Sequence, residues 1–355
     1  MSHTASPHFA NRHFEIQIAH SVDEIAPEAW DALSAGQHFQ SHRWYRFGES
    51  VMADSTPSYI ILHLDRQPVA RAALWLVRDE PLPLNPAPLR SMAQAYLRRH
   101  PLMVCRSPLS SMPGLVLPPG PLGQAAMRAL VTAAREQAHL ARASFLVFDF
   151  ITPELRDLAK CGLVLGELNG PGTLMELPWR SFDSFLVSLD RNVRKHYKRT
   201  QRKRAEMGIT VTRHNHVDRL PEALRLIRDM ERRFGSAPNP WMAGMMKNLH
   251  LVEGTWLAAE IYGRLVGCEL ALQDHGAQVV TALGLADDMP YAYFALGYED
   301  IRLAIETGAG ALYWGSGADD VKERLGFRPY PNNLVAFAGL GAAPRVISRV
   351  APAFL

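Results

Sequence analysis

Two stretches of the chain carry runs of apolar and β-branched residues broken by short polar turns. SYIILHLDRQPVARAALWLVRD (58–79) reads as a strand, a turn at Asp65–Pro68 and a second strand. TWLAAEIYGRLVGCELALQDHGAQVVTALGL (255–285) repeats the plan, with its turn at Tyr262–Arg264. Downstream of each lies an Ala-rich pattern of helical spacing, GQAAMRALVTAAREQAHLARA and YAYFALGYEDIRLAIETGAG. Each is followed by a short strand, SFLVFDF and ALYWGSG. The chain reads as hairpin, helix, strand, twice over: a weak internal repeat of domain size. Its 355 residues fit two domains at roughly 150 residues each.

The Gly/Pro cluster LNGPG (168–172) marks the join, giving an N-terminal unit 1–170, a C-terminal unit 171–340 and a tail 341–355. Residues 81–121 are dense in proline, which fixes φ and removes backbone donors, so an irregular packed insertion is expected. A short strand, TLMELPW, should follow the join. The tail reads as an extension packed on the body in preference to a membrane anchor.

After that strand the pattern changes. RNVRKHYKRTQRKRAEMG (191–208) holds eight Lys or Arg between Arg191 and Arg204, and no acid. On a helical wheel Val193, Thr200 and Met207 share one thin face, with His196 beside them, and the cations spread over the opposite half. Gly208 suits the helix end, and Ile209–Arg213 reads as a strand. Like charges at i,i+4, such as Arg191–Lys195 and Lys198–Arg202, repel by a few tenths of a kcal/mol per pair. A polyanionic partner would relieve that cost. Coenzyme A, a nucleotide-linked substrate, tRNA and anionic lipid head groups are the candidates; a passive solvated face is the alternative.

Composition narrows the field. With 48% hydrophobic and 21% charged residues the chain can build a core, and a net charge of +3 excludes a uniformly basic nucleic-acid coat, so no DNA partner is expected. Cys105, Cys161 and Cys268 are far apart and odd in number, as for reduced thiols in the cytoplasm. The polar N-terminus has no signal-peptide core, and no apolar run reaches membrane-spanning length. His214 and His216 share a strand face, but no third metal ligand suggests itself, so no metal is expected.

In LVGCELALQ (265–273) alternation places Gly267, Glu269 and Ala271 on one face. A carboxylate between two tiny residues has space before it and suits a general base raised by partial burial; an ion-paired strand face is the alternative. Tyr291, Tyr293 and Tyr298 open the following helix, where Tyr291 could protonate a leaving thiolate or belong to the core. Trp314 and Ser316 end the last strand as candidate pocket lining. Asp319 could orient an amine or cap the next helix. Met242, Met245 and Met246 suit an adaptable apolar wall or a core.

The order of elements, with WGSGADDVKERLGFRP (314–329), the basic helix and HFQSHRWYRF (38–47), resembles the FemAB-like branch of the GNAT acyltransferase superfamily. That resemblance covers most of the chain. It implies an α/β fold of two tandem GNAT-like domains, each a mixed, mostly antiparallel sheet flanked by helices. It also implies acyl transfer to an amine by direct attack, with the active cleft in the C-terminal unit. In the resemblance Lys322 matches a lysine near substrate phosphates, and Arg194, Tyr197 and Lys198 fall on the helix lining the same cleft. The first unit's equivalent loop, DFITPELRDL, lacks the lysine, as for a degenerate domain. The donor is then acyl-CoA, or aminoacyl-tRNA in the branch's other arm. ADDMPYAYFALGYED lacks the usual glycine-rich phosphate loop and brings Asp287 and Asp288 instead, which speaks for the second. The sequence shows no inserted helical arm between the domains, which speaks against it, and acyl-CoA is the expected donor with aminoacyl-tRNA as the alternative. A non-catalytic adaptor binding phosphate or a membrane surface is the reading from a different class.

Overall fold

The computed structural model describes residues 14–82, 87–167, 170–317, 319–341 and 344. The first half runs β1 (Glu15–Ala19), α1 (Pro27–Leu33), α2 (His42–Val51), β2 (Thr56–Leu64), β3 (Gln67–Val77), α3 (Ala87–Arg99), β4 (Leu102–Cys105), β5 (Leu115–Val116), α4 (Gly120–Leu140), β6 (Phe145–Ile151) and β7 (Val164–Glu167). The second runs β8 (Gly172–Glu176), α5 (Phe182–Ser188), α6 (Arg191–Glu206), β9 (Ile209–His214), α7 (Leu220–Arg233), α8 (Met242–Lys247), β10 (Thr255–Ile261), β11 (Arg264–Asp274) and β12 (Ala277–Leu285). It continues through α9 (Pro290–Glu306), β13 (Ala311–Trp314), α10 (Asp319–Leu325) and β14 (Arg328–Tyr330) to β15 (Leu334–Gly339). Both expected hairpins are present, with φ above +45° at Asp65, Arg66 and Tyr262 in their tight turns. The proline-dense insertion is more ordered than its composition suggests, since it holds α3, β4 and β5.

Two sheets form, in the orders β1-β2-β3-β4-β6-β15-β7, with β5 beside β3, and β14-β8-β13-β12-β11-β10-β9. The second half completes the first sheet with one strand. The last strand, β15, lies between β6 and β7, antiparallel to both, with Ala336 opposite Phe148 and Leu165. Strand β8 lies between β13 and β14 in the second sheet. Residues 334–339, expected in the C-terminal unit, therefore belong to the first sheet. Apolar alternation identifies a strand but not its partner, which is why this crossing of β15 is invisible in the sequence.

One core joins the halves: Trp44, Trp75 and Met52 of the first share it with Met242, Met246, Trp256 and Leu270 of the second. On the outer face of the first sheet, Leu130, Ala134 and other α4 residues pack on Ile60, Leu74 and Phe148. On the outer face of the second, α9 packs Ile301 and Ala304 near Phe185 and Leu312.

Candidate active site

Each sheet contains one parallel pair of strands that parts at one end. Strands β4 and β6 pair from Leu102–Phe145 to Cys105–Phe148, and Arg106 and Asp149 come next on the two chains. Strands β12 and β13 pair only from Ala277–Ala311 to Val279–Tyr313. Beyond Val279, β12 follows β11 alone, with a bulge that leaves Thr281 unpaired. A cavity of about 600 Å³ lies between the sheets and is lined from both partings, by Arg106 and Asp149 on one side and by Val280, Thr281 and Trp314–Ser316 on the other. Leu102, Val104, Phe145 and Val147 make an apolar wall, and Trp241 and Met245 close another side.

The charged groups come from the first half. Arg106 donates to both oxygens of Glu80, at 2.7 and 2.8 Å, and its Nη1 lies 3.6 Å from Asp149 Oδ2. Its guanidinium carbon stands 5.2 Å from the Trp241 ring centre. Burial raises the Asp149 carboxyl above its ordinary value; Arg106 opposes the shift and Glu80 adds to it. Asp149 accepts the Phe150 N–H at 2.9 Å, and Phe150 holds φ +54°, a conformation costly for an aromatic residue. With one guanidinium against two carboxylates, Asp149 is left partly uncompensated and facing space.

A second cavity, about 630 Å³, lies at the start of α4 and shares Met112, Tyr313 and Tyr330 with the first. Here His38 Nδ1 meets the Tyr313 hydroxyl at 3.0 Å, across the two halves. Burial lowers the His38 pKa, with Asp274 opposing, so the ring is neutral at neutral pH.

Of the residues expected from sequence, Trp314 and Ser316 line the first cavity. Trp314 also donates to Asp300 Oδ2 at 2.8 Å and stacks on Phe327. The side chain of Asp319 lies outside the described residues. The others stand elsewhere. Glu269 was expected to face open space, but α9 covers that side of β11: it is 3% exposed, lines neither cavity and bonds the fully buried Asp300. Lys322, expected at a phosphate, is 6% exposed and donates to the Gly315 carbonyl, holding the loop from β13 to α10. Arg194 donates to the Val187 and Leu189 carbonyls at 2.7 and 2.6 Å, closing the end of α5. Tyr197 packs on Phe182 and Tyr298. Tyr291 packs against the buried cluster of Ile209, Leu257 and Leu285. Lys198 is exposed on α6, and no α6 residue lines either cavity.

Sequence reading missed Glu80, Arg106 and Asp149. The available signal was a charge ending an apolar strand, in LMVCRS and FLVFDF. Of the paired histidines, His214 meets Thr212 and His216 meets Asn215. Among the described residues, no group of three or more His, Cys, Asp or Glu is placed to hold a metal, and no helix is long and apolar enough to cross a membrane.

No sequence-family model and no curated protein matches the chain. Solved structures do. FemX superposes with a TM-score of 0.62 at 13% identity, over 91% of this chain and 97% of FemX. A tandem GNAT protein from the clavulanic acid biosynthesis pathway gives 0.57 at 12%, over 92% of this chain and 99% of that one. The C-terminal DUF2156 domain of a putative lysylphosphatidylglycerol synthetase from Agrobacterium fabrum gives 0.50 at 14%, over 93% and 96%. At these identities the likeness concerns the fold, and it spans nearly the whole chain in each case. Together with the two α/β sheets and their matched partings, it shows that the chain has a tandem GNAT-like fold, shared with FemX and the tandem GNAT protein.

Proposed function

We propose that the protein is an N-acyltransferase whose acceptor amine sits in the cavity between the sheets, against Asp149. The observation that carries this reading is the position of Asp149: a carboxyl raised by burial, at a parting of parallel strands, facing the opening of the second sheet. The donor class is acyl-CoA. The amine nitrogen attacks the thioester carbonyl, the C–N bond forms as the C–S bond breaks, and the thiolate leaves and takes up a proton. Asp149, ionised, accepts the proton that the amine loses. Arg106, itself fixed by Glu80, holds the carboxylate in place. Thr281, freed from the ladder on the second sheet, is a candidate donor for the developing oxyanion.

Thiol release from acetyl-CoA and longer acyl-CoAs, measured with a panel of primary amines, tests the reading. Asp149→Asn should lower kcat by about a hundredfold or more and leave the donor's dissociation constant unchanged. The activity should rise with pH through an apparent pKa above the ordinary carboxylate range, because only the ionised form is a base. Wild-type activity retained in Asp149→Asn would overturn the assignment. An aminoacyl-tRNA donor is the second reading. It draws support from the start of α9, where Asp287 (ion-paired with Arg233) and Asp288 stand at the place of a glycine-rich phosphate loop. It predicts no thiol release from any acyl-CoA.

A further inference from the structure

Helix α6 turns Thr200, His196 and Tyr197 inward and leaves Arg191, Lys195, Lys198, Arg199 and Arg202 exposed. At 3.6 residues per turn these five fall within an arc of roughly 100°, along roughly 16 Å of helix. Arg202 meets Glu206 at 3.6 Å; the other four have no ion pair or hydrogen bond among the described residues. None lines a cavity. The repulsion among those four is uncompensated among the described residues.

Exposed apolar side chains flank both ends. Val187, just before the helix, is 75% exposed. Tyr262, in the tight turn between β10 and β11, is 95% exposed and packs its ring edge near Gly208, at the helix end. We propose that this face of α6 docks on an anionic lipid bilayer, with the cations at the head groups and Val187 and Tyr262 entering the interface. The stripe alone would suit any polyanion. The apolar ends decide the partner, since a valine gains nothing from a phosphate backbone, whereas an amphipathic tyrosine is at home at a membrane–water boundary. This goes beyond the acyl-transfer reading and stands whether or not that reading holds.

Cosedimentation of the full chain with vesicles is the test, using phosphatidylcholine alone and phosphatidylcholine with about three parts in ten phosphatidylglycerol. Binding is expected to the anionic vesicles only, with release by high salt. The variant Arg191→Gln/Lys195→Gln/Arg199→Gln should bind on the order of a hundredfold more weakly, at about fivefold per cation. Its melting temperature should be unchanged or raised, because like-charge repulsion is removed. Val187→Ser/Tyr262→Ser should weaken binding several-fold with the salt dependence intact. The proposal is overturned by a wild-type protein that ignores anionic vesicles, by either variant binding as tightly as wild type, or by an RNA oligonucleotide binding through the stripe when vesicles do not.

Discussion

At the residue scale, Glu269 lies on β11 between Gly267 and Ala271 of the same strand face. Its two small neighbours do make space, but α9 fills that space. Burial and the adjacent Asp300 carboxylate both push the Glu269 carboxyl well above its ordinary 4.5. Burial raises the Asp300 carboxyl to about 7, but the bonds it accepts from Trp314 and Gln278 favour its ionised form, so the shared proton resides on Glu269. A raised folded-state pKa means that the native state holds a proton the unfolded chain releases. The stability contribution is therefore complete below about pH 4.5 and is lost as pH rises through the folded pKa, at up to about 1.4 kcal/mol per pH unit. Glu269→Gln keeps the shape and the donor to Asp300 without the titration. Denaturant melts between acid and mildly alkaline pH should show the wild type weakening and Glu269→Gln weakening less over the same range, since the buried Asp300 still titrates. A wild type that is flat across that range would contradict the buried protonated pair.

At the element scale, α6 and α4 show how far local chemistry reaches. The basic helix ends where expected, with Gly208 at φ +67° and β9 following at once. Its inward face holds Thr200 and His196, as the wheel reading required. The same reading could not tell which cations face outward: Arg194 is drawn under α5 and the five on the open arc are left. The entry to α4 makes a sharper test. A Cβ on Gly123 would stand 2.1 Å from the Pro118 carbonyl oxygen, a backbone atom that cannot step aside. At Gly120 a Cβ would meet open space, and only φ +72° opposes it. Urea melts should rank Gly123→Ala as the more damaging, by roughly 1–3 kcal/mol, with Gly120→Ala costing about 1 kcal/mol.

At the scale of the whole molecule, the crossing of β15 from the second half into the first sheet makes the halves interdependent. A chain stopped at residue 333 loses the strand between β6 and β7, leaving β7 without its ladder partner and β6 paired with β4 alone, and uncovering Phe148 and Leu146, which Ala336 and Ala338 face. The full chain should therefore unfold in one cooperative transition. The truncated chain should lack amide-exchange protection in β7 and on the β15-facing side of β6, and melt far lower. Two independent transitions in the intact chain would show that the crossing strand does not couple the halves. Strand β15 also puts Val335 and Phe337 on the wall of the cavity between the sheets, so a site built from both sheets needs that strand in place.

The sequence alone determined the elements whose signals are local. Hairpins follow from β-rich runs and turns, α4 and α9 from helical spacing, and the limits of α6 from its charge run and Gly208. The repeat of elements, with the motifs at 38–47, 191–208 and 314–329, was enough to point to a tandem GNAT-like fold. Only the tertiary structure decided which strand joins which sheet, because pairing is a choice among partners that present equivalent backbone groups. It also decided that Lys322 and Glu269 are enclosed and that Arg106 and Asp149 meet Trp314 and Ser316 around one space. Alternation assigns a side chain to a face of its own strand; what covers that face is set by elements distant in the chain, and that covering separates a buried carboxyl pair from a candidate base.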